Sequence, residues 1–416
     1  MNTINNKPFQ ISKQIVFKAW KLVKANAGSA GVDEESIKDF EANLKDNLYK
    51  LWNRMASGSY MPPAVKGVAI PKKTGGTRVL GIPCVADRIA QTVVKLTFEP
   101  IVERIFLDDS YGYRPNKSAH DAIAITRSRC WNFDWVLEFD IKGLFDNIQH
   151  ELLLKAVHKH TDCKWVILYI ERWLTASMLM PDGTIKARDK GTPQGGVISP
   201  VLSNLFLHYV FDKWMQINYK SNPWCRYADD GLVHCNTYEE AANLFSQIEQ
   251  RFKKCGLEIH PDKTKIVYCK DDKRTKDYHI NEFAFLGYTF CMRTAIRRYD
   301  NKIFNSFLPA ISKKAHSTIL MQIKLKWKIH LQTDISLEEL AKRYNPIIRG
   351  WIQYYGKFYK TALKKIANYI NLRLVKWGRR KYLKLKGHKQ KAYDWLVRVY
   401  KANPNLFDYW KMFNVC

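Results

Sequence analysis

The sequence predicts an α+β protein in which strands and helices mix through about residue 290 and a basic, mostly helical segment follows. Three observations carry this expectation. Trp135-Val136-Leu137-Glu138-Phe139-Asp140-Ile141 is a short apolar run with an acid near its end, which reads as a strand. Trp224 to Cys235 is apolar on both sides of an Asp229-Asp230-Gly231 turn, the strongest hairpin signal in the chain. Charge is concentrated near the C-terminus: residues 301–416 carry 25 Lys and Arg against 5 Asp and Glu, leaving 43 against 34 before them.

The elements follow in order. Ile37, Phe40, Leu44, Leu48, Leu51 and Met55 recur at helical spacing and predict one amphipathic helix over 36–55. Val65 to Ile70 and Arg78 to Ile82, joined through Gly75-Gly76, predict a hairpin. A helix is expected over Asp87–Arg104, and two more over 150–158 and 164–176. Gly191-Thr192-Pro193-Gln194-Gly195-Gly196 reads as a loop, with a helix from Pro200 to Trp214 behind it. Thr237 and Glu240 form a capping-box signature for a helix that buries Leu244, Phe245, Ile248 and Phe252 and ends at Gly256. Lys265–Cys269 and Phe283–Phe290 are further strands, and beyond about 295 the pattern turns helical.

Composition excludes several classes. At 416 residues and 46% hydrophobic, the chain is long and apolar enough for two or three packed domains, which rules out a disordered chain. The N-terminus lacks a signal-like apolar core, and no apolar run approaches a bilayer span, so a cytoplasmic protein without membrane contact is expected. Nine cysteines without a Cys-x-x-Cys pair indicate neither a zinc site nor a disulfide framework. A formal charge of +29 calls for a polyanionic partner. Nucleic acid fits best, because Trp and Tyr interleave with the cations of the tail and each neutralised phosphate releases counterions.

Chemistry concentrates where acids meet apolar strands. Asp140 and the Asp229-Asp230 pair would repel and resist burial unless a cation neutralises them. Magnesium is hard, prefers oxygen ligands, and is held by one or two carboxylates together with substrate phosphates. Two such ions (with Mn²⁺ as a possible substitute) serve an in-line displacement at phosphorus. Asp-Asp-Gly alone is commonly just a turn; the pairing with Asp140 gives it weight.

In order along the chain, several segments resemble the blocks of reverse transcriptases encoded by bacterial group II introns. They are Gly31-Val32-Asp33; Ile70-Pro71-Lys72 through Arg78 to Gly81-Ile82-Pro83 and Asp87-Arg88; and Ser110 to Pro115 with Ser118-Ala119-His120. Asp140-Ile141-Lys142-Gly143-Leu144-Phe145-Asp146, Gly191 to Pro200, Tyr227-Ala228-Asp229-Asp230, His260 to Lys265 and Phe285 to Tyr288 complete the series. The resemblance implies a right-hand polymerase, with fingers in 1–135, palm in 136–295 and a helical thumb with maturase region in 296–416. It implies DNA synthesis on an RNA template from dNTPs and a DNA primer.

The resemblance also implies roles. Asp140 and Asp229 would bind both metals with help from the Ile141 carbonyl, and Asp230 would complete the primer-side site. Lys72 and Arg78 would grip the triphosphate, Phe145 would block a ribose 2′-hydroxyl, and Gln194 would meet the nucleotide sugar or base. Lys263 would act as general acid toward pyrophosphate. Arg114 would order the fingers or contact template. Asn345 to Tyr355 and Asn403 to Phe407 resemble the maturase region, whose Arg349, Lys360, Lys364, Arg379, Arg380 and Lys381 would meet RNA. Trp351, Tyr354 and Tyr355 are expected in its core. The partner would be structured intron RNA, whose splicing the protein would aid. A dedicated noncoding RNA in a phage-defence system is the alternative. Relatives with a Cys-rich His-Asn-His endonuclease continue beyond this point, so DNA cleavage by this chain is not expected. Monomer and dimer remain open.

Overall fold

The computed structural model describes residues 7–71, 76–297 and 299–414. It is a mixed α+β chain that divides into two compact units, one built from 1–122 and 137–265, the other from 123–136 and 266–416.

The first unit opens on the helix Lys13–Asn26, capped by the Ser12 hydroxyl, which accepts from the Ile15 N–H. The helix expected over 36–55 is two helices, Ile37–Ala42 and Leu44–Ala56. Asn43, at φ −119°, breaks the run, and its non-helical backbone outweighs an apolar periodicity that continues across it. Strands β1 (Val65–Pro71) and β2 (Thr77–Ile82) form the antiparallel hairpin foreseen, pairing Ile70 with Arg78. Strand β3 is Trp135–Asp140; β4 (Met178–Leu179) runs parallel to β1 and antiparallel to β5 (Ile185–Lys186). Strands β6 (Trp224–Tyr227) and β7 (Asp230–Cys235) pair antiparallel and stand beside β3 in the order β6-β7-β3. Behind them Phe139, Phe211 and Phe252 meet edge-on, at 5.2 and 5.7 Å from the Phe139 ring.

The helix Val85–Glu103 is buried nearly all round at its start, including Asp87 and Gln91. Asp87 accepts from the Tyr60 hydroxyl (2.8 Å), the Trp173 indole (2.7 Å) and the Gln91 amide (2.9 Å). Burial pushes the Asp87 carboxyl up, and these three donors oppose it. Thr237 caps the helix Tyr238–Lys254 as expected, accepting from the Glu240 N–H. The Glu240 carboxylate reaches one residue further back than a capping box requires, to the Asn236 N–H (2.6 Å), and also binds Asn222.

The helix expected after Pro200 begins at Ser199, runs α-helical to Leu207, opens into a π-helical stretch at His208–Asp212, and closes again over Lys213–Asn218. A π stretch adds a residue to one turn and leaves carbonyls without their usual partners. Arg251 supplies them, its Nε donating to Val210 O and its Nη2 to Tyr209 O, both at 3.1 Å.

The second unit holds strands β8 (Lys265–Tyr268), β9 (Phe283–Phe285), β10 (Tyr288–Ile296) and β11 (Ile303–Ile311). Two expectations are corrected. The strand over Phe283–Phe290 is a tight hairpin, because Leu286 and Gly287 both take positive φ (50° and 81°). The chain also does not turn helical at 295: β10 pairs along its full length with β11, whose Pro309 sits on the edge strand of the β11-β10-β9 sheet. The helices Lys313–Met321, Leu337–Tyr355, Lys364–Lys381 and Lys389–Ala402 then enclose a core rich in indoles. Trp327 stacks between Tyr344 (4.2 Å) and Trp351 (5.2 Å), and the Tyr354 hydroxyl donates to Leu286 O. Trp351, Tyr354 and Tyr355 thus pack within this unit.

His208 gives the first unit a pH signature. It is 1% exposed, its Nδ1 has no hydrogen-bond partner, and its pKa is pushed down to about 4 by burial first and by the cations of Lys213 and Arg226. Unfolded, the imidazole takes a proton near 6.5; folded, it stays neutral until about 4. Stability contributed at neutral pH is therefore lost as pH falls between these values, by up to about 3 kcal/mol. Denaturant titrations of wild type and His208→Gln should diverge over that interval, with the variant losing less stability on acidification. Parallel profiles would refute the assignment.

Candidate active site

The acids are carried by a turn that differs from the one expected. Tyr227 pairs with Asp230, so the turn residues are Ala228 and Asp229, while Asp230 and Gly231 belong to β7. Such a connection needs positive φ, and Ala228 adopts +57°, a conformation a residue with a Cβ resists. Two glycines make room. A Cβ on Gly112 would lie 2.4 Å from Ala228 N, and one on Gly231 would lie 2.1 Å from Phe139 Cζ.

Arg226 holds the turn from beneath. It is fully buried and forms a fork with the equally buried Asp212, Nε to Oδ1 at 2.8 Å and Nη2 to Oδ2 at 2.7 Å. Its remaining donors reach Ala228 O (3.1 Å), Asn204 Oδ1 (3.2 Å) and Ser110 Oγ (2.8 Å). Asn204 Nδ2 in turn donates to Gly112 O (2.7 Å). Burial pushes the Asp212 carboxyl up, and the guanidinium pulls it back; the two-point geometry is that of a carboxylate. Along the backbone, Arg226 N donates to Asp109 O and Tyr111 N to Arg226 O, so segment 109–112 runs beside β6. Sequence reasoning placed the block around Ser110 but missed this network, because no spacing rule links Arg226 to Asp212 across the π stretch.

The turn is stitched to the end of β3. Ile141 N donates to Asp229 O (3.2 Å), and His260 N donates to Asp140 O (2.8 Å). The Asp140 carboxylate acts directly on Asp230. Burial, followed by the charges of Asp229 and Asp140, pushes Asp230 up to about 8. Burial and Asp140 likewise raise Asp229. Lys263 Nζ donates to Asp140 Oδ2 at 2.8 Å. Burial acts against the Lys263 charge, but Asp140, Asp230 and Asp229 outweigh it and hold the ammonium above the usual lysine range. The site therefore demands positive charge. Among the described residues no group of three or more acids, histidines or cysteines is placed to hold a metal ion. What Asp140, Asp229 and Asp230 do supply is carboxylate oxygen, the donor type Mg²⁺ takes alongside phosphates and water.

Around this centre, the Tyr113 ring meets the Phe145 ring edge-on at 6.4 Å. Burial, then the charge of Asp229, raises the Tyr113 hydroxyl, while Arg78 opposes the rise. Tyr113 is thus a neighbour of the acids that the sequence reading overlooked, although the Gly112-Tyr113 pair was already in view. Arg78 is exposed on β2, and Lys72 lies outside the described residues. The Gln194 loop is docked on both sides. Gly81 N donates to Gln194 O (2.7 Å), and Thr192 N donates to Phe145 O (2.7 Å). Gln91 Oε1 accepts from Val197 N (2.7 Å), tying the loop to the Asp87 network. Gly195, at φ +118°, would place a Cβ 2.3 Å from Gly81 O.

Several basic residues expected at RNA are employed elsewhere. The Arg114 side chain is 5% exposed, bound to Glu103 and to the carbonyls of Leu107 and Ser110, so it orders that segment. Lys381 Nζ donates to Thr333 O (3.0 Å) and Ile335 O (2.6 Å). Arg349 pairs with Asp408 through Nε (3.0 Å) and Nη2 (2.9 Å). Lys360, Lys364 and Arg380 are exposed, and Arg379 is half-buried.

Residues 70–290 match the family described as reverse transcriptase (RNA-dependent DNA polymerase), and residues 317–395 match the group II intron maturase-specific domain. The chain belongs to the reverse transcriptase family and carries a group II intron maturase-specific domain. It is similar to protein YkfC of Escherichia coli (29% identity over 361 residues, 76% of this chain and 89% of that protein). It is also similar to the group II intron-encoded protein LtrA of Lactococcus lactis (30% over 272 residues, 64% of this chain) and spans 43% of that longer relative. A structure of telomerase from Candida albicans with a telomeric RNA fragment aligns over 90% of this chain and 71% of its own, at 14% identity and a TM-score of 0.45.

The network beneath the turn makes two expectations. Asp212→Asn leaves the Arg226 charge buried without its counter-charge, and should cost about 3–5 kcal/mol in denaturant unfolding. Gly112→Ala presses on the Ala228 backbone, and a displacement of this order at a reacting centre should slow primer extension about tenfold or more. Extension rates within twofold of wild type in Gly112→Ala would mean that the close approach does not set the turn.

Proposed function

We propose that the chain copies RNA into DNA at Asp140, Asp229 and Asp230, and that its C-terminal part binds structured intron RNA and aids its splicing. The observation that carries the first half is the mutual crowding of three carboxylates, with Lys263 as their counter-ion. In this reading 1–135 are fingers, 136–295 palm, and 296–416 thumb and maturase region.

Asp140, Asp229 and the Ile141 carbonyl would hold two Mg²⁺ ions, with Asp230 on the primer side. When bound, the ions lower the pKa of a primer 3′-hydroxyl and spread the charge of the departing pyrophosphate. Lys263, paired with Asp140 at 2.8 Å, is protonated at neutral pH and would be the group to give a proton to a pyrophosphate oxygen once the carboxylates are neutralised. Lys72 and Arg78 orient the triphosphate, Gln194 positions the nucleotide sugar, and Phe145, braced by Tyr113, closes the space a 2′-hydroxyl would need. Lys360, Lys364, Arg379 and Arg380 are the cations we assign to RNA. Arg114, Arg349 and Lys381 are not among them, since each is bound within the protein.

Primer extension on an RNA template with Mg²⁺ should yield cDNA, and Asp229→Asn should lower its rate by at least about a thousandfold, on the scale of electrostatic terms in catalysis. Undiminished synthesis by that variant refutes the site. For the second half, the readout is splicing of a group II intron RNA at low Mg²⁺ with and without protein; no stimulation refutes it.

A further inference from the structure

The charge of the tail is not spread evenly. In the second unit a hollow of about 380 Å³ is lined by His330, Lys376, Arg379, Arg380, Lys386 and Gly387. Its walls are the short helix Ile329–Leu331, the end of the helix Lys364–Lys381, and the loop that follows Leu383–Leu385. Four cations and an imidazole meet there without a carboxylate in the lining. Such an assembly is self-repelling unless an anion joins it.

Basic residues in a last helical turn complement the helix dipole, which accounts for their occurrence at this end of Lys364–Lys381. It does not account for their pairing. Lys381 is satisfied by two loop carbonyls, and Arg380 makes one long bond, to His330 O at 3.3 Å. Arg379 Nε and His330 Nδ1 are buried with no hydrogen-bond partner. Among the described residues, no acid pairs with Lys376, Arg379, Arg380 or Lys386. Buried donors are ordinarily satisfied, so orphans at the wall of a basic hollow point to a missing acceptor.

We propose that this hollow is a built pocket for a backbone phosphate of RNA, a discrete grip rather than part of a diffuse basic surface. The proposal rests on the reading that this part of the chain binds structured RNA, and goes beyond it by naming the anion seat. Guanidinium forks match phosphate oxygens at two points, and Arg379 with Arg380 presents two of them. Apart from the His330 imidazole the lining holds no aromatic ring, and four of its six residues are cations, so it suits a phosphate better than a stacked base. The pocket therefore fixes register on the RNA without reading its sequence. Lys386 belongs to it, as does His330, which no motif singled out. Lys381, adjacent in sequence, does not.

The test uses the full chain and a labelled RNA hairpin, and measures affinity across a salt series. Removing two charges inside the hollow (Arg379→Gln with Lys386→Gln) is compared with removing two exposed charges outside it (Lys389→Gln with Lys391→Gln). The pocket variant should bind roughly tenfold more weakly and show a salt slope shallower by about one to two, while the surface variant changes much less. Thermal melting of both variants reports folding; a charge-reversed Lys386→Glu, on an exposed loop, gives a second weakened variant if the double change unfolds the protein. Equal losses in the two double variants would show a diffuse field and overturn the pocket. Displacement of the hairpin by inorganic tripolyphosphate at concentrations far below those needed from orthophosphate, equally in wild type and pocket variant, would overturn it as well. If wild type fails to bind the hairpin or any group II intron RNA, the RNA reading itself falls, a result distinct from tight wild-type binding that the pocket change leaves untouched.

Discussion

The turn that carries Asp229 and leads into Asp230 depends on one buried ion pair. Arg226 and Asp212 lie wholly out of solvent, and a charge in that position is tolerated only when every donor is matched. Asp212 takes two donors of the guanidinium. The others secure the Ala228 carbonyl, Asn204 and Ser110, which is how an alanine at positive φ is kept in a conformation it would otherwise leave. Relative to an apolar core such a pair gains little stability; its effect is on geometry. Because the same guanidinium touches the strand, the turn and the 109–112 segment, these parts cannot shift independently.

The acids above that pair are arranged for the opposite purpose. Burial raises both Asp229 and Asp230; the Asp140 charge adds to each, and the Asp229 charge adds to Asp230. The lysine on Asp140 relieves part of this with a mobile charge on a flexible stem, half exposed and able to withdraw. A rigid floor thus supports an electrostatically unsatisfied surface. That combination suits a site whose ligands arrive with the substrate.

Much of this was legible in the sequence because it is local. The Asp140 strand, the β1–β2 hairpin, the helix from Tyr238 and the glycine that ends it all obey spacing rules a few residues long. The acid turn was found but placed one residue late: Asp-Asp-Gly is a good turn by composition, whereas the tertiary grip of Arg226 on Ala228 makes the alanine the special residue. The break at Asn43 and the β10–β11 pairing were missed because apolar periodicity does not register a single non-helical residue or a strand partner still to come. For the basic residues, sequence gave sign but not employment. Arg114, Arg349 and Lys381 look like their neighbours until their partners are seen.

The two compact units are woven from alternating stretches of chain, since 123–136 belongs with residues after 266 while 137–265 completes the part begun at residue 1. During synthesis, the first unit has all its residues once 265 has emerged from the ribosome. The short 123–136 stretch must then wait for the tail before its own unit can close. A ribosome that stalls just after residue 265 therefore leaves the first unit with all its residues and 123–136 without the rest of its own unit. The same weave means that cutting the chain at any single point cannot yield both units whole.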